Sequence, residues 1–160
     1  MKNNMTETVS KILSAYMNSP DEMTLELAMA ISRYVRTEAC KMGVKAVVAV
    51  SNSGGNPVSV QCMNDSYLAS YDVAFNKAYT VVALKMSTID LKPLAQPGQS
   101  LYGIQFTNNG KIVIFGGGVP LYNKEGKIIG GLGVSGGSEE QDTLLAKLGG
   151  DLFSACIENI

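Results

Sequence analysis

Two clusters of glycine and a few ionisable side chains mark where this sequence could do chemistry. The stretch GGLGVSGGSEEQD, Gly130 to Asp142, contains G-L-G-V-S-G, the spacing of a dinucleotide-binding turn. FGGGVPL, residues 115–121, places three more glycines in a row. Cys62 closes an apolar run and is the cysteine best placed for reactivity or ligation. Lys77 falls on the flank of an amphipathic stretch, where a lysine ordinarily lays its stem on the core and keeps its charge in water. Asp142 falls in a first helical turn, where a carboxylate ordinarily complements the helix dipole.

The sequence has no histidine. That excludes serine–histidine and cysteine–histidine catalysis and any histidine-ligated metal or haem. Paired carboxylates are lacking too, so a small-substrate enzyme would have to use lysine, tyrosine or cysteine.

A dinucleotide fingerprint needs a βαβ unit with an acidic residue about 20 residues further on. Here one helix follows the motif and no second strand. The match is a coincidence of glycine density. Free N–H groups at the start of that helix could hold an anion. The alternative is that Ser138, Glu139 and Glu140 themselves satisfy those donors, with the two carboxylates repelling an anionic ligand. Glycines 116–118 imply a bulge or a close approach of the backbone to a flat ligand or a partner subunit. The residues themselves do not choose between the two.

The elements that position these groups follow from periodicity. Residues 5–18 space Met5, Val9, Ile12, Leu13, Tyr16 and Met17 as a short amphipathic helix, which Pro20 ends. Thr24 caps a second helix that Gly43 stops. VKAVVAV (44–50) and PVSVQC (57–62) read as a hairpin around SNSGGN. Residues 66–86 predict a third helix with Tyr71, Ala74, Phe75, Ala78 and Val82 on its apolar face. After a loop with Pro93 and Pro97, strands are expected at 101–106 or 111–115, at 116–122 and at 127–134. Ser138 and Gln141 form a capping box opening the last helix. Cys40 and Cys156 fall on helix faces and read as small buried hydrophobes. Short turns between strands require antiparallel pairing. The expectation is an α+β domain of about five strands over residues 21–160, preceded by a helix and linker over 1–20.

Bulk composition narrows the partners. A net charge of −1, with no basic patch and no aromatic–basic interleaving, argues against nucleic acid and anionic membranes. Three widely spaced cysteines argue against a disulfide framework or zinc cluster. The N-terminal residues lack a signal-peptide pattern, and no apolar run is long enough to span a membrane, so a cytoplasmic protein is expected.

The stretches VVAVSNSGG, QCMNDS, AFNKAYT, LYGIQ, KIVIFGGGVPLYNKEGKIIGGLGVSGG and EEQD with LLAKLG, in this order, resemble the GlcG/HbpS-like family. Within it the chain is most similar to the C-terminal domain of PduO-type proteins. The resemblance implies a profilin-like fold, assembly into dimers, tetramers or octamers, and binding of haem or a corrinoid in accessory roles near cofactor metabolism. It also implies association with bacterial microcompartments. Lys77, Gly116, Gly117, Gly118, Ser135, Gly136 and Asp142 match the family pattern, with Lys77 as a cation for a propionate or phosphate. Phe115 and Tyr102 stand in the matching stretches. The family's acid and base are absent where this chain has Asn52 and the run from Cys62 to Asp65. Without histidine, Cys, Met, Tyr or Lys would have to ligate an iron, with Cys62 and Tyr102 as candidates. The implied function is an oligomeric accessory protein for a tetrapyrrole, with a scaffolding protein that holds no cofactor as the alternative. Residues 5–18 would dock on shell or cargo partners, or pack on their own domain.

Overall fold

The computed structural model describes residues 2–159. Its elements run α1 (Lys2–Asn18), α2 (Leu25–Lys41), β1 (Val47–Asn52), β2 (Pro57–Cys62), α3 (Ser70–Leu84), α4 (Thr88–Leu94), β3 (Gly118–Tyr122), β4 (Ile128–Ser135) and α5 (Glu139–Glu158). The four strands form one antiparallel sheet in the order β2-β1-β4-β3. This α+β architecture is the one expected, with four strands rather than five.

The missing strand has a local cause. Residues 101–115 turn through two short 3-10 segments, Ile104–Phe106 and Asn108–Gly110. Gly103, Asn108, Asn109 and Gly110 all have positive φ, which no continuous strand accommodates. The same stretch of chain is preceded by a helix that the prolines concealed. Ser87 caps α4 by accepting a hydrogen bond from Asp90 N, and Pro93 falls in its last turn.

The sheet lies between two helical layers. Val48, Val50, Leu132 and Val134 face α2 and α5, whose Leu27, Ile31, Val35, Leu145 and Phe153 complete the main core. On this side α1 buries Ile12 and Tyr16, with the Tyr16 ring edge-on to Phe153 at 6.0 Å and its hydroxyl accepting from Lys124 N. The first helix therefore packs on its own domain, leaving Met5 and Met17 exposed. The other face, with Val47 and Ala49, is covered by α3 through Ala74 and Ala78. Thr24 caps α2 as expected, and Ser138 with Gln141 forms the capping box of α5. None of the described helices is long and apolar enough to cross a membrane.

The glycines of β4 find their purpose in this second layer. A Cβ on Gly133 would stand 2.0 Å from Ala74 O and 2.7 Å from Ala78 N, and one on Gly131 would stand 2.3 Å from Ala78 O. Helix α3 thus lies backbone against backbone on β4, closer than any side chain permits. Ser51 Oγ donates to Ala78 O at 3.0 Å and anchors the contact. The G-x-G spacing of the apparent nucleotide motif is a seat for a helix.

Two substitutions separate steric from conformational need. Gly133→Ala is expected to cost about 3 kcal/mol in urea denaturation, because α3 must lift off the sheet. Gly126→Ala meets nothing within 4 Å but has φ +78°, and is expected to cost only about 1–2 kcal/mol. Equal losses would mean that α3 yields freely and the seat is not close-packed.

Candidate functional site

Lys77 lies one helical turn beyond Ala74 on the face of α3 that meets the sheet. Ser70, Ala74, Lys77, Ala78 and Val81 are among its buried positions, a face rotated from the expected one so that Tyr71 is exposed. The small residues must face the glycine seat, and that choice carries Lys77 inward with them. Its exposure is 0%, the reverse of a snorkelling lysine.

A buried ammonium needs partners for its donors. Lys77 Nζ donates to Val134 O at 2.7 Å and to Asp142 Oδ2 at 3.3 Å, and lies 5.0 Å from the centre of the Phe115 ring. Asp142 is 4% exposed and accepts on its other oxygen from Gly137 N at 2.9 Å. Burial pushes the Lys77 ammonium below its ordinary range, with Asp142 opposing the shift. Burial pushes the Asp142 carboxyl above its ordinary range, with Lys77 and the Gly137 N–H opposing. Removal from water outweighs attraction on both sides of the pair.

The triple glycine is gripped from three directions. Gly116 N donates to Glu139 Oε2 at 3.2 Å, and the other oxygen of Glu139 pairs with Lys92. That ammonium holds the Glu139 carboxyl below its usual range. Gly117 O accepts from Val134 N, while a Cβ on Gly117 would stand 2.5 Å from Lys77 Nζ. Gly118 N donates to Thr88 Oγ1 at 2.9 Å. The space that these glycines open is filled by Lys77, Thr88 and Thr143, whose buried Oγ1 has no hydrogen-bond partner. Thr88 and Lys92 escaped the sequence reading because α4 did; the signal was Ser87 followed three residues later by Asp90.

At the adjoining end of β4, Ser135 Oγ donates to Ser70 Oγ at 3.1 Å. Gly136 and Gly137 line a polar cavity of about 470 Å³ with Lys45, Asp65 and Tyr67. Cys62 is exposed on edge strand β2 and sits in register with Val47, as Ser135 does on the opposite side. Two strand spacings, about 10 Å, therefore separate Cys62 from Ser135. Tyr102 stands in the turn after α4, 63% exposed, and makes none of these hydrogen bonds. The structure brings Lys77, Phe115, Gly116, Gly117, Gly118 and Asp142 into one cluster, with Ser135 and Gly136 at its end. Cys62 and Tyr102 stay outside it.

The other cysteines divide. Cys156 is buried, and burial raises its thiol pKa, whereas Cys40 is exposed against expectation because the buried stripe of α2 passes through Ala39. Among the described residues no group of three or more Cys, Asp or Glu could hold a metal ion.

The chain belongs to the family described as haem degrading protein HbpS-like, whose model matches residues 23–150. It is 45% identical over 132 residues, 82% of this chain and 92% of the relative, to an uncharacterized 15.0 kDa protein in the dhaT-dhaS intergenic region of Citrobacter freundii. It is 37% identical over 155 residues to the corrinoid adenosyltransferase PduO of the same organism, covering 91% of this chain but only 45% of that protein. The crystal structure of the PduOC:heme complex superposes with a TM-score of 0.74 at 38% identity, covering 76% of this chain and 88% of that one.

The Lys77–Asp142 pair makes two predictions. Lys77→Met leaves a buried carboxylate unpaired and is expected to cost about 3–5 kcal/mol, while Lys77→Met/Asp142→Asn loses much less than the sum of the single changes. Additive losses in urea denaturation would show that the groups are uncoupled. The second concerns pH. Burial raises Asp142 above its ordinary 3.8, so its ionisation weighs against the folded state. The stability of the native chain relative to Asp142→Asn should be greatest below pH 3.8 and fall as pH rises through the raised value. A difference that grows with pH would mean that Lys77 outweighs desolvation.

Proposed function

We propose that this member of the HbpS-like family is an oligomeric accessory protein that binds a tetrapyrrole-type cofactor, haem or a corrinoid. Its setting would be a bacterial catabolic pathway, in association with a microcompartment. The observation that carries the reading is the likeness to the haem-bound PduOC structure across three-quarters of this chain. The match to a PduO corrinoid adenosyltransferase, of which this chain spans less than half, extends it from haem to corrinoids.

The residues present fit such a group at an open face and not in the closed cluster. The space beside Gly116–Gly118 is filled by protein atoms, and the Lys77 ammonium is already engaged. At the start of α3 and in the chain from 102 to 115, by contrast, Tyr67, Leu68, Tyr71, Tyr102, Phe106 and Phe115 leave large apolar surfaces in water. Flat apolar faces of this kind suit a macrocycle. The exposed Cys62 thiol and Tyr102 hydroxyl are the side chains offered as iron or cobalt ligands. Lys77 and Asp142 then act by position, holding Phe115 and the backbone from Gly116 to Gly118 and at Gly137. A bound haem would supply a redox-active iron, and a corrinoid a cobalt centre.

One observation favours the scaffold alternative. Met5 and Met17 stay exposed although α1 docks on its own domain, which leaves an apolar edge for a shell or cargo partner. Met5→Ser/Met17→Ser spares the buried Ile12 and Tyr16, and is expected to abolish co-sedimentation with shell proteins if α1 recruits them. Unchanged partitioning removes that role.

The deciding experiment for the cofactor is an absorbance titration with hemin and, separately, with cobalamins. A saturable shift at one equivalent per chain is expected, lost in Cys62→Ala or Tyr102→Phe. A flat response to both cofactors overturns the tetrapyrrole reading.

A further inference from the structure

The sequence contains two arginines, Arg33 and Arg36, and both line one cavity. It is a groove of about 470 Å³ between α1 and α2, lined also by Gln61 of β2. That volume lies within the roughly 300–1,000 Å³ typical of small-molecule sites. Residues 26, 29, 30, 33 and 36 recur at helical spacing along α2, so a single stripe of the helix faces the groove.

The charges along this stripe are not evenly matched. Glu7 pairs with both Lys11, at 2.7 Å, and Arg33, at 3.3 Å. Arg36 enters none of the ion pairs among the described residues, and its Nε–H is buried without a hydrogen-bond partner. Facing the same cavity, Gln61 Oε1 is also buried and unpartnered. A buried donor left unmatched is costly, so the Arg36 Nε–H marks a place shaped for an acceptor. A guanidinium edge matches the planar, two-oxygen geometry of a carboxylate. Glu26 also lines the groove, but ten residues of helix from Arg36 is about 15 Å, beyond the screening length in physiological salt. Its repulsion there is small.

Ala15, Met29 and Ala30 give the remaining wall an aliphatic side, with Lys11, Ser14 and Asn18 of α1 completing it. A fully hydrated anion would lose its water against that side with little in return. We infer that this groove binds a small amphiphilic carboxylate, its head accepting from Arg36 and its apolar body along Ala15, Met29 and Ala30. The site shares no residue with the tetrapyrrole reading and stands or falls independently of it.

Sodium octanoate is the probe, added to the full chain carrying ¹³C-methyl methionine. The Met29 methyl signal is expected to shift and saturate at one equivalent while that of Met86 stays in place. Arg36→Met is expected to weaken binding at least tenfold, and Arg36→Lys less. Should Arg36→Met melt early, Ala30→Leu fills the groove without touching its charge and is expected to weaken binding as strongly. 1-Octanol, which lacks the charge, and inorganic phosphate, which lacks the apolar body, should each bind at least tenfold more weakly. The inference is overturned if the Met29 signal does not saturate or if folded Arg36→Met binds as tightly as the native chain. It is equally overturned if octanol or phosphate matches octanoate.

Discussion

The buried contact of Lys77 with Asp142 and the Val134 carbonyl is the constraint around which this domain is arranged. An ammonium and a carboxylate removed from water both shift toward neutrality, and attraction recovers only part of that loss. Such a pair tolerates no loose geometry. It obliges α3, β4 and the start of α5 to meet in one way, since any other packing leaves a charge without a partner. Each group also organises backbone: Asp142 holds Gly137 N, and Lys77 occupies the space that Gly117 leaves open.

The glycine seat is what makes that contact reachable. Without side chains at 131 and 133, α3 settles directly on β4, which brings the Lys77 stem within reach of Val134 O. Close helix-to-sheet packing and the buried pair are thus two aspects of one arrangement. The same glycines that imitate a nucleotide fingerprint make the domain interior denser, not more open. Their spacing reports a helix above the strand.

It follows that the centre of the molecule is closed and its perimeter is where ligands can act. The cluster at Gly116–Gly118 is held by α3, α4 and α5, with Lys77 and Asp142 enclosed at its centre and the Lys92–Glu139 pair reaching solvent at its edge. Outside it lie the exposed aromatic and aliphatic side chains at the start of α3 and from 102 to 115, the polar cavity by Gly136, and the arginine-lined groove under α1. Residues matching the family pattern divide along that line. Lys77 and Asp142 shape the scaffold, while Phe115 and Tyr102, which stand in the matching stretches, are exposed.

The amino-acid sequence alone determined the α+β class, the antiparallel pairing, and the caps at Thr24 and Ser138, because these follow from periodicity, turn length and local hydrogen bonding. The absence of histidine settled in advance which catalytic mechanisms were unavailable. The resemblance to the HbpS-like family was also legible, carried by several ordered stretches together. Local pattern misjudged the face of α3, because a lysine on the edge of an apolar stripe is ordinarily solvated and only an Asp 65 residues away makes burial tolerable. It missed α4, whose cap signal was masked by its proline, and it placed a strand where four residues of positive φ turn the chain. Whether the glycines served a ligand or a neighbouring backbone was a question about distances between segments remote in sequence. Only the packed tertiary structure, in which α3 fills the space the glycines leave, decided it.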